Sequence, residues 1–277
     1  MKKELQRRSA IIRGRTIWTS HTAGIPHLAS CLSCTDLLVY IYGKLLQIDP
    51  TDPHHEDRDR FILSKGHAAP VLFQVLAEHK FFDLAQLQSF GKDGSLFGEH
   101  PPAHGIPGIE VATGSLGHGL PIGIGFALSA KLRAKKYKTI VLLGDGECNE
   151  GTIWEGALFA PTHQLDNLTV VVDYNKWQAT ARSNETMSIA SLSEKFTAFG
   201  WNSIEIDGHN FEEIDGAFHS QFSNNKPTAI IAHTIKGKGV SFMEDDNNWH
   251  YRKPNTKEVE QSFLELGISK EDIVGNT

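Results

Sequence analysis

Four apolar runs set the strongest constraint on this chain: TIVLLG from Thr139, LTVVVDY from Leu168, WNSIEID from Trp201 and TAIIAHT from Thr228, each divided from the next by a stretch with helical character. Val/Ile/Leu-rich strands of this kind, joined by helices, belong in a parallel sheet that is covered on both faces. The pattern therefore predicts an α/β fold, a doubly wound parallel sheet flanked by helices. Upstream, ELQRRSAIIRGRTIWTS reads as an opening helix and SCTDLLVYIYGKLL as a second one, closed by the polar turn DPTDPHHEDRDR. RFILSKGHAAPVLFQVLAEHKFF then reads as a short strand, a Gly-His turn and a helix, and LPIGIGFALSAKLRAKKY as an apolar helix whose closing lysines suit the negative end of its dipole. A chain of 277 residues accommodates this as one domain over 1–267, with 268–277 expected to be a loosely committed tail.

Composition narrows the partners. The net charge of -6 supplies no basic footprint for nucleic acid or an anionic membrane. No segment approaches the roughly 20 apolar residues of a spanning helix, and the basic N-terminus lacks the apolar core of a signal peptide, so a cytoplasmic protein is expected. The odd count of three cysteines argues against a disulfide framework. Cys31 and Cys34 form a C-x-x-C without two further zinc ligands at suitable spacing, and are expected to pack together on an apolar helix.

In a doubly wound sheet, ligands bind outside the carboxyl ends of the strands. TIVLLG ends in Gly144-Asp145-Gly146, and LTVVVDY continues into Asn175, thirty residues after Asp145. If the helix TIWEGALFAPTHQ is the right-handed crossover between these strands, Asp145 and Asn175 project from one edge of the sheet. A carboxylate and an amide oxygen there suit a magnesium ion bridging to a diphosphate, and the helix starting near Glu150 adds its positive end. Read alone, Asp145-Gly146 and Asn175 are equally compatible with ordinary turn and capping residues.

The surrounding text resembles the transketolase family. LSKGHAAPVLFQVLA, FGEHPPAHGIPGIEVATGSLGHGL, GDGECNEGTIWEGALFA and VDYNKWQ look like four transketolase blocks in order, over roughly residues 10–255. The resemblance implies thiamine diphosphate and Mg2+ as cofactors, with Ca2+ or Mn2+ able to substitute. It implies Asp145, Asn175 and the backbone carbonyl of Trp177 as metal ligands and Gly146 as a diphosphate contact. Gly114, Ser115 and Leu116 would meet the aminopyrimidine, while Glu150, also placed among the cofactor residues, and Glu155 would lie near a subunit interface. His67, His100 and His250, and His27 with altered neighbours, would line the channel around the thiazolium and diphosphate and handle substrate oxygens and protons. His54, His55, His79, His163 and His219 read as solvent-facing. Leu28-Ala29, His118 and Tyr251 depart from the family pattern, and are expected around the substrate channel.

A transketolase has a further, pyrimidine-binding domain, which supplies the glutamate that activates the cofactor; the present sequence holds no match to it. The resemblance thus implies the N-terminal subunit of a split transketolase, moving a two-carbon ketol unit from a ketose, often phosphorylated, to an aldose. It implies a C-terminal partner subunit, a heterotetramer, and an exposed apolar surface around TGSLGHGLPIGIG. Alternatives are a specialised ketol transferase of secondary sugar metabolism, a 2-oxoacid dehydrogenase alpha-type subunit, and a non-catalytic scaffold. A nucleotide-binding oxidoreductase is weakly suggested by the glycines of GHGLPIGIG, which no strand precedes.

Overall fold

A computed structural model describes residues 2–220 and 225–274, apart from the side chain of Val274. In chain order the elements begin with helices α1 (Lys2–Ala23), α2 (Leu28–Ser33) and α3 (Thr35–Tyr40), then strand β1 (Arg60–Leu63) and helix α4 (Ala69–Glu78). Next come α5 (Gly119–Leu132), β2 (Thr139–Gly144), α6 (Gly151–Thr162), β3 (Leu168–Tyr174), α7 (Ser183–Thr186) and α8 (Leu192–Ala198). The chain continues through β4 (Asn202–Asp207), α9 (Phe211–Phe218), β5 (Thr228–His233), α10 (Thr256–Leu266) and α11 (Lys270–Val274). The five strands form one sheet in the order β1-β2-β3-β5-β4 with every pair parallel, as the apolar runs predict. No helix among the described residues is long and apolar enough to cross a membrane.

The pleat divides the core. Val141, Leu143, Val170 and Val172 point to one face, against α5, α6 and α8, where Leu120, Ile153 and Phe196 meet them. Ile140, Leu142 and Val171 point to the other, where Leu37, Phe73 and Ile214 are buried. Each such side chain contributes about 1.5–3 kcal/mol by leaving water, so the central strands are fixed from both sides. That rigidity holds their carboxyl ends in place.

Two expectations need correction here. The second expected helix opens at Thr35, after a break at Cys34 (φ -90°, ψ 4°) that parts it from the short α2, and beyond α3 it closes in a π-helical turn over Ile41–Leu45. At the break Ser33 Oγ (3.1 Å) and Cys34 Sγ (3.5 Å) donate to the Ser30 carbonyl and Thr35 Oγ1 (3.0 Å) to that of Cys31, local side-chain bonds that compete with regular helix geometry. The tail, in turn, is not loose through residue 274. Ile268 and Ile273 are buried in a third cluster with Ile17 and Trp249. A Cβ at Gly14 would lie 2.2 Å from Ile268 Cδ1, so the glycine lets this segment close onto α1. Arg7 donates to the Gly267 carbonyl (2.7 Å) and to Asp272 (2.6 Å), and Arg15 to the Ile273 carbonyl (3.2 Å).

The lysine near the end of α5 serves a neighbouring helix as well as its own, since Lys131 Nζ donates to the carbonyls of His163 and Gln164 beyond α6, both at 2.9 Å. Cys31 and Cys34 are buried free thiols, and burial pushes Cys31 up to about 12.

Candidate active site

The register of β2 and β3 builds the edge. Gly144 pairs with Asp173, so Asp145 and Asn175 leave the sheet side by side. Asp145 is 1% exposed and accepts a hydrogen bond from Ser183 Oγ at 2.7 Å. Burial lifts its carboxyl to about 7, the mark of a carboxylate without a full cationic partner. Asn175 is turned by its amide: Nδ2 faces Ser33 Oγ (3.3 Å) and Asp173 Oδ2 (3.4 Å), while Oδ1 accepts from the Trp177 N–H at 3.1 Å. Trp177 Nε1 donates to Asp245 at 2.8 Å, and Arg182 lies 3.8 Å over the Trp177 ring while forking onto the same carboxylate. The loop after β3 is thereby fastened to the segment after β5.

Beneath this edge lies a network that the sequence did not disclose. Lys65 and Asp173, 1% and 0% exposed, form an ion pair to which Ser33 Oγ (2.6 Å) and Thr234 Oγ1 also donate. Burial works against the Lys65 charge, but Asp173 outweighs it and holds the ammonium above its usual range. Lys236 is also fully buried, donating to Asn247 Oδ1 (2.7 Å) and His250 Nδ1 (3.0 Å); burial, then Lys65, lower it to about 7. The available signal was position, since Lys65 and Lys236 each follow a strand end by two or three residues. Glu147, buried just beyond Asp145, accepts from the N–H groups of Gly117 (2.8 Å) and Gly144 (3.0 Å) and from Ser64 Oγ. One carboxylate thus ties the glycine loop to the ends of β1 and β2.

The four histidines singled out from the sequence come together around His27. Its ring centroid lies 5.4 Å from His67, 6.5 Å from His100 and 5.0 Å from His250. His27 adopts a left-handed conformation (φ 65°), uncommon outside glycine, and its N–H donates to the His250 carbonyl at 2.8 Å. Burial, and then Lys65, pull His67 well below the usual imidazole range; burial and Lys236 pull His250 to about 3. Burial also lowers His27, opposed by Glu99 at 3.9 Å. These three rings are therefore neutral at pH 7, each with one N–H donor and one acceptor nitrogen; in His250 the acceptor, Nδ1, takes the Lys236 hydrogen bond.

Gly114 (φ 145°) takes a backbone shape that side chains rarely adopt, and a Cβ there would lie 3.0 Å from His100 Cδ2. Ser115 next to it is exposed and Leu116 half-buried. Glu150 caps the start of α6 and, like Glu155 within it, is exposed. Of the departures, His118 is exposed with Nδ1 on the Leu116 carbonyl (3.0 Å), and Tyr251 sits over His250 and His27. Leu28 and Ala29 do not line the pocket; they are core residues packed near Met243 and Trp249. His54, His55, His163 and His219 are exposed as expected, whereas His79 is partly buried against Tyr42, and burial lowers its pKa.

The cradle fits a metal-bound diphosphate cofactor. Its donors are hard oxygens, the class that magnesium selects. Three polar atoms among the described residues are buried without a partner beside it: Gln178 Nε2, Thr113 Oγ1 and His27 Nδ1. A Cβ at Gly146 would come 2.8 Å from Gln178 Cγ, so only glycine leaves backbone accessible at that turn.

Comparison with known proteins identifies the family. The family described as transketolase, thiamine diphosphate-binding domain, matches residues 7–274. The chain is 39% identical over 255 residues to one of the subunits of an apulose-4-phosphate transketolase from Phocaeicola vulgatus, covering 92% of this chain and 90% of that one. It is 37% identical to a 6-deoxy-6-sulfo-D-fructose transketolase subunit of a Clostridium species, covering 95% and 96%. Human transketolase is 37% identical across 92% of this chain, which spans only 40% of that protein. The transketolase structure from Campylobacter jejuni superposes with a TM-score of 0.90 at 27% identity, over 95% of this chain and 43% of that one. The chain therefore belongs to the transketolase family, as its thiamine diphosphate-binding domain.

Proposed function

We infer that this chain is the diphosphate-binding subunit of a two-chain transketolase, which moves a two-carbon ketol unit from a ketose to an aldose. The observation that carries this reading is the emergence of Asp145 and Asn175 from adjacent strands beside a pocket of four histidines. Two relatives of matching length named as transketolase subunits support it. Asp145, the Asn175 amide oxygen and the Trp177 carbonyl would hold Mg2+, or Ca2+ or Mn2+ in its place. Gly146 and Gln178 would meet the diphosphate, and Lys236 would balance its charge. Gly114, Ser115 and Leu116 would meet the aminopyrimidine through backbone groups. When bound, thiamine diphosphate supplies the nucleophilic carbon at which a carbon–carbon bond is broken and remade. His27, His67, His100 and His250 would bind the sugar's oxygens and shift protons among them, a task for which neutral imidazoles are suited.

The activating glutamate would come from a C-terminal partner subunit in a cytoplasmic heterotetramer. Apolar side chains left in solvent support such a contact: Ile122 and Leu132 on α5 are 36% and 78% exposed, and Leu158 and Phe159 on α6 59% and 41%. Glu150 and Glu155 belong to the same α6 region.

The test combines the chain with its partner, thiamine diphosphate and Mg2+, and follows ketose cleavage with an aldehyde acceptor. Ketol transfer requiring both chains is the expected result. Turnover of a 2-oxoacid with none of any ketose would overturn the reading.

A further inference from the structure

Tyr251 is assigned to neither metal nor cofactor, yet it is one of the most exposed large hydrophobic side chains described, at 65%. It is not adrift. Its ring meets His250 at a centroid distance of 4.7 Å and an interplanar angle of 73°, and His27 at 5.7 Å and 62°. His27 in turn touches His67 and His100, so Tyr251 stands against the hub of the histidine pocket while most of its surface still faces outward. An aromatic side chain in that position offers a flat wall to whatever enters.

The charges nearby define what this wall can read. Lys65 is paired with Asp173, and Lys236 is engaged with Asn247 and His250; both are fully buried. Arg252, next along the chain, is turned onto the Trp249 ring at 4.3 Å and paired with Glu258. The charged group that does lie beside His27 is the Glu99 carboxylate, at 3.9 Å. This side of the pocket mouth therefore presents an aromatic face and a carboxylate, and no free cation from these residues.

We propose that Tyr251 is a specificity-determining residue: its ring closes one side of the pocket mouth, limits the length of sugar admitted beside His27 and His250, and favours short acceptor aldehydes. The inference rests on the ketol-transfer reading. The ring occupies space that the outer carbons of a longer acceptor would need. Its aromatic face, not its hydroxyl, performs the selection, because no hydrogen bond holds the hydroxyl in place among the contacts described. Removing the ring opens the wall and leaves Asp145, Asn175 and the four histidines unsubstituted, although His250 and His27 lose its packing.

The experiment uses the two-chain complex with fructose 6-phosphate as ketose donor and glycolaldehyde, glyceraldehyde, erythrose and ribose as acceptors. Tyr251→Gly should raise kcat/KM for ribose relative to glycolaldehyde by roughly tenfold, through KM, the scale at which pocket size discriminates. Tyr251→Phe should keep the parent ratio. Thiamine diphosphate affinity, read by calorimetry, should be the same in all three proteins. A ribose-to-glycolaldehyde ratio within about twofold of the parent in Tyr251→Gly would overturn the proposal, as would a fall in cofactor affinity, which would make Tyr251 a support for His250. A parent complex that transfers to none of the acceptors would sink the ketol-transfer reading itself, which separates the two failures.

Discussion

Two buried charged clusters in this molecule are made from similar groups and behave differently. In one, Arg13 forks onto Asp36 (2.9 and 2.7 Å) and also donates to the Leu32 carbonyl, while His209 Nδ1 lies 2.7 Å from the same carboxylate. His209 Nε2 accepts the Ile235 N–H at 2.9 Å, which assigns its proton to Nδ1. Burial alone would raise the Asp36 carboxyl, but Arg13 and His209 outweigh it and hold it far below the ordinary carboxylate range. The other cluster, at the carboxyl edge of the sheet, has Lys65 and Asp173 satisfied but Asp145 lifted to about 7, Lys236 lowered to about 7, and partnerless polar atoms on Gln178 and His27. Complete mutual satisfaction marks a structural cluster; the residual deficit marks the place where a ligand completes it.

Opposite substitutions should separate the two. Asp145→Asn is expected to weaken Mg2+-dependent thiamine diphosphate binding by about 100-fold or more in calorimetry, roughly the effect of losing a charged ligand. The same change should raise the melting temperature of the ligand-free chain by a few degrees at pH 8 and by less at pH 5. The sign follows from a carboxyl whose folded pKa is raised: its ionisation costs stability above that value, and the cost fades as pH falls. Equal binding in parent and variant would remove Asp145 from the metal site.

Asp36→Ala should do the reverse. Cofactor affinity of the folded fraction should be unchanged, while denaturant unfolding shows a loss of about 3–5 kcal/mol, because Arg13 is left buried and unpaired. In the parent, the Asp36 contribution is complete above about pH 5 and is lost as pH falls through about 4 and below, since its folded pKa is depressed. A stability curve of Asp36→Ala parallel to the parent's between pH 6 and pH 3 would contradict this.

Lys236 offers a finer probe. A diphosphate placed beside an amine that titrates near 7 raises its proton affinity, so binding at pH 8 should take up protons, seen as a buffer-dependent heat. Lys236→Met should abolish that dependence and weaken binding about tenfold. The smallest effect concerns the thiols: with burial pushing Cys31 up to about 12 and Cys34 higher still, neither should be alkylated in the folded chain at pH 8. Rapid labelling of both would reopen the question of a role for the C-x-x-C.

Legibility follows the same division. Strands β2, β3 and β5 could be read because continuous apolar runs have few alternatives, and Asp145 and Asn175 because a strand end in such a sheet has a fixed address. Lys65, Asp173, Lys236 and Glu147 could not, since nothing local distinguishes a buried lysine or carboxylate from an exposed one. Lys65 and Asp173 are 108 residues apart in sequence, and only the closed sheet makes them partners. The closing segment was misread for a related reason: Ile268 and Ile273 look like isolated apolar residues until Gly14 provides the notch that receives them.

That notch has a consequence for the order of events during synthesis. The face of α1 that carries Gly14 and Ile17 is made first, yet part of its cover, Val259, Ile268 and Ile273, is made about 250 residues later. At ribosomal rates of roughly 5–20 residues per second, the helix waits on the order of ten seconds or more with an apolar flank uncovered. A nascent chain stalled before Ile268 would carry its whole cofactor-binding edge and still lack the piece that seals its first helix.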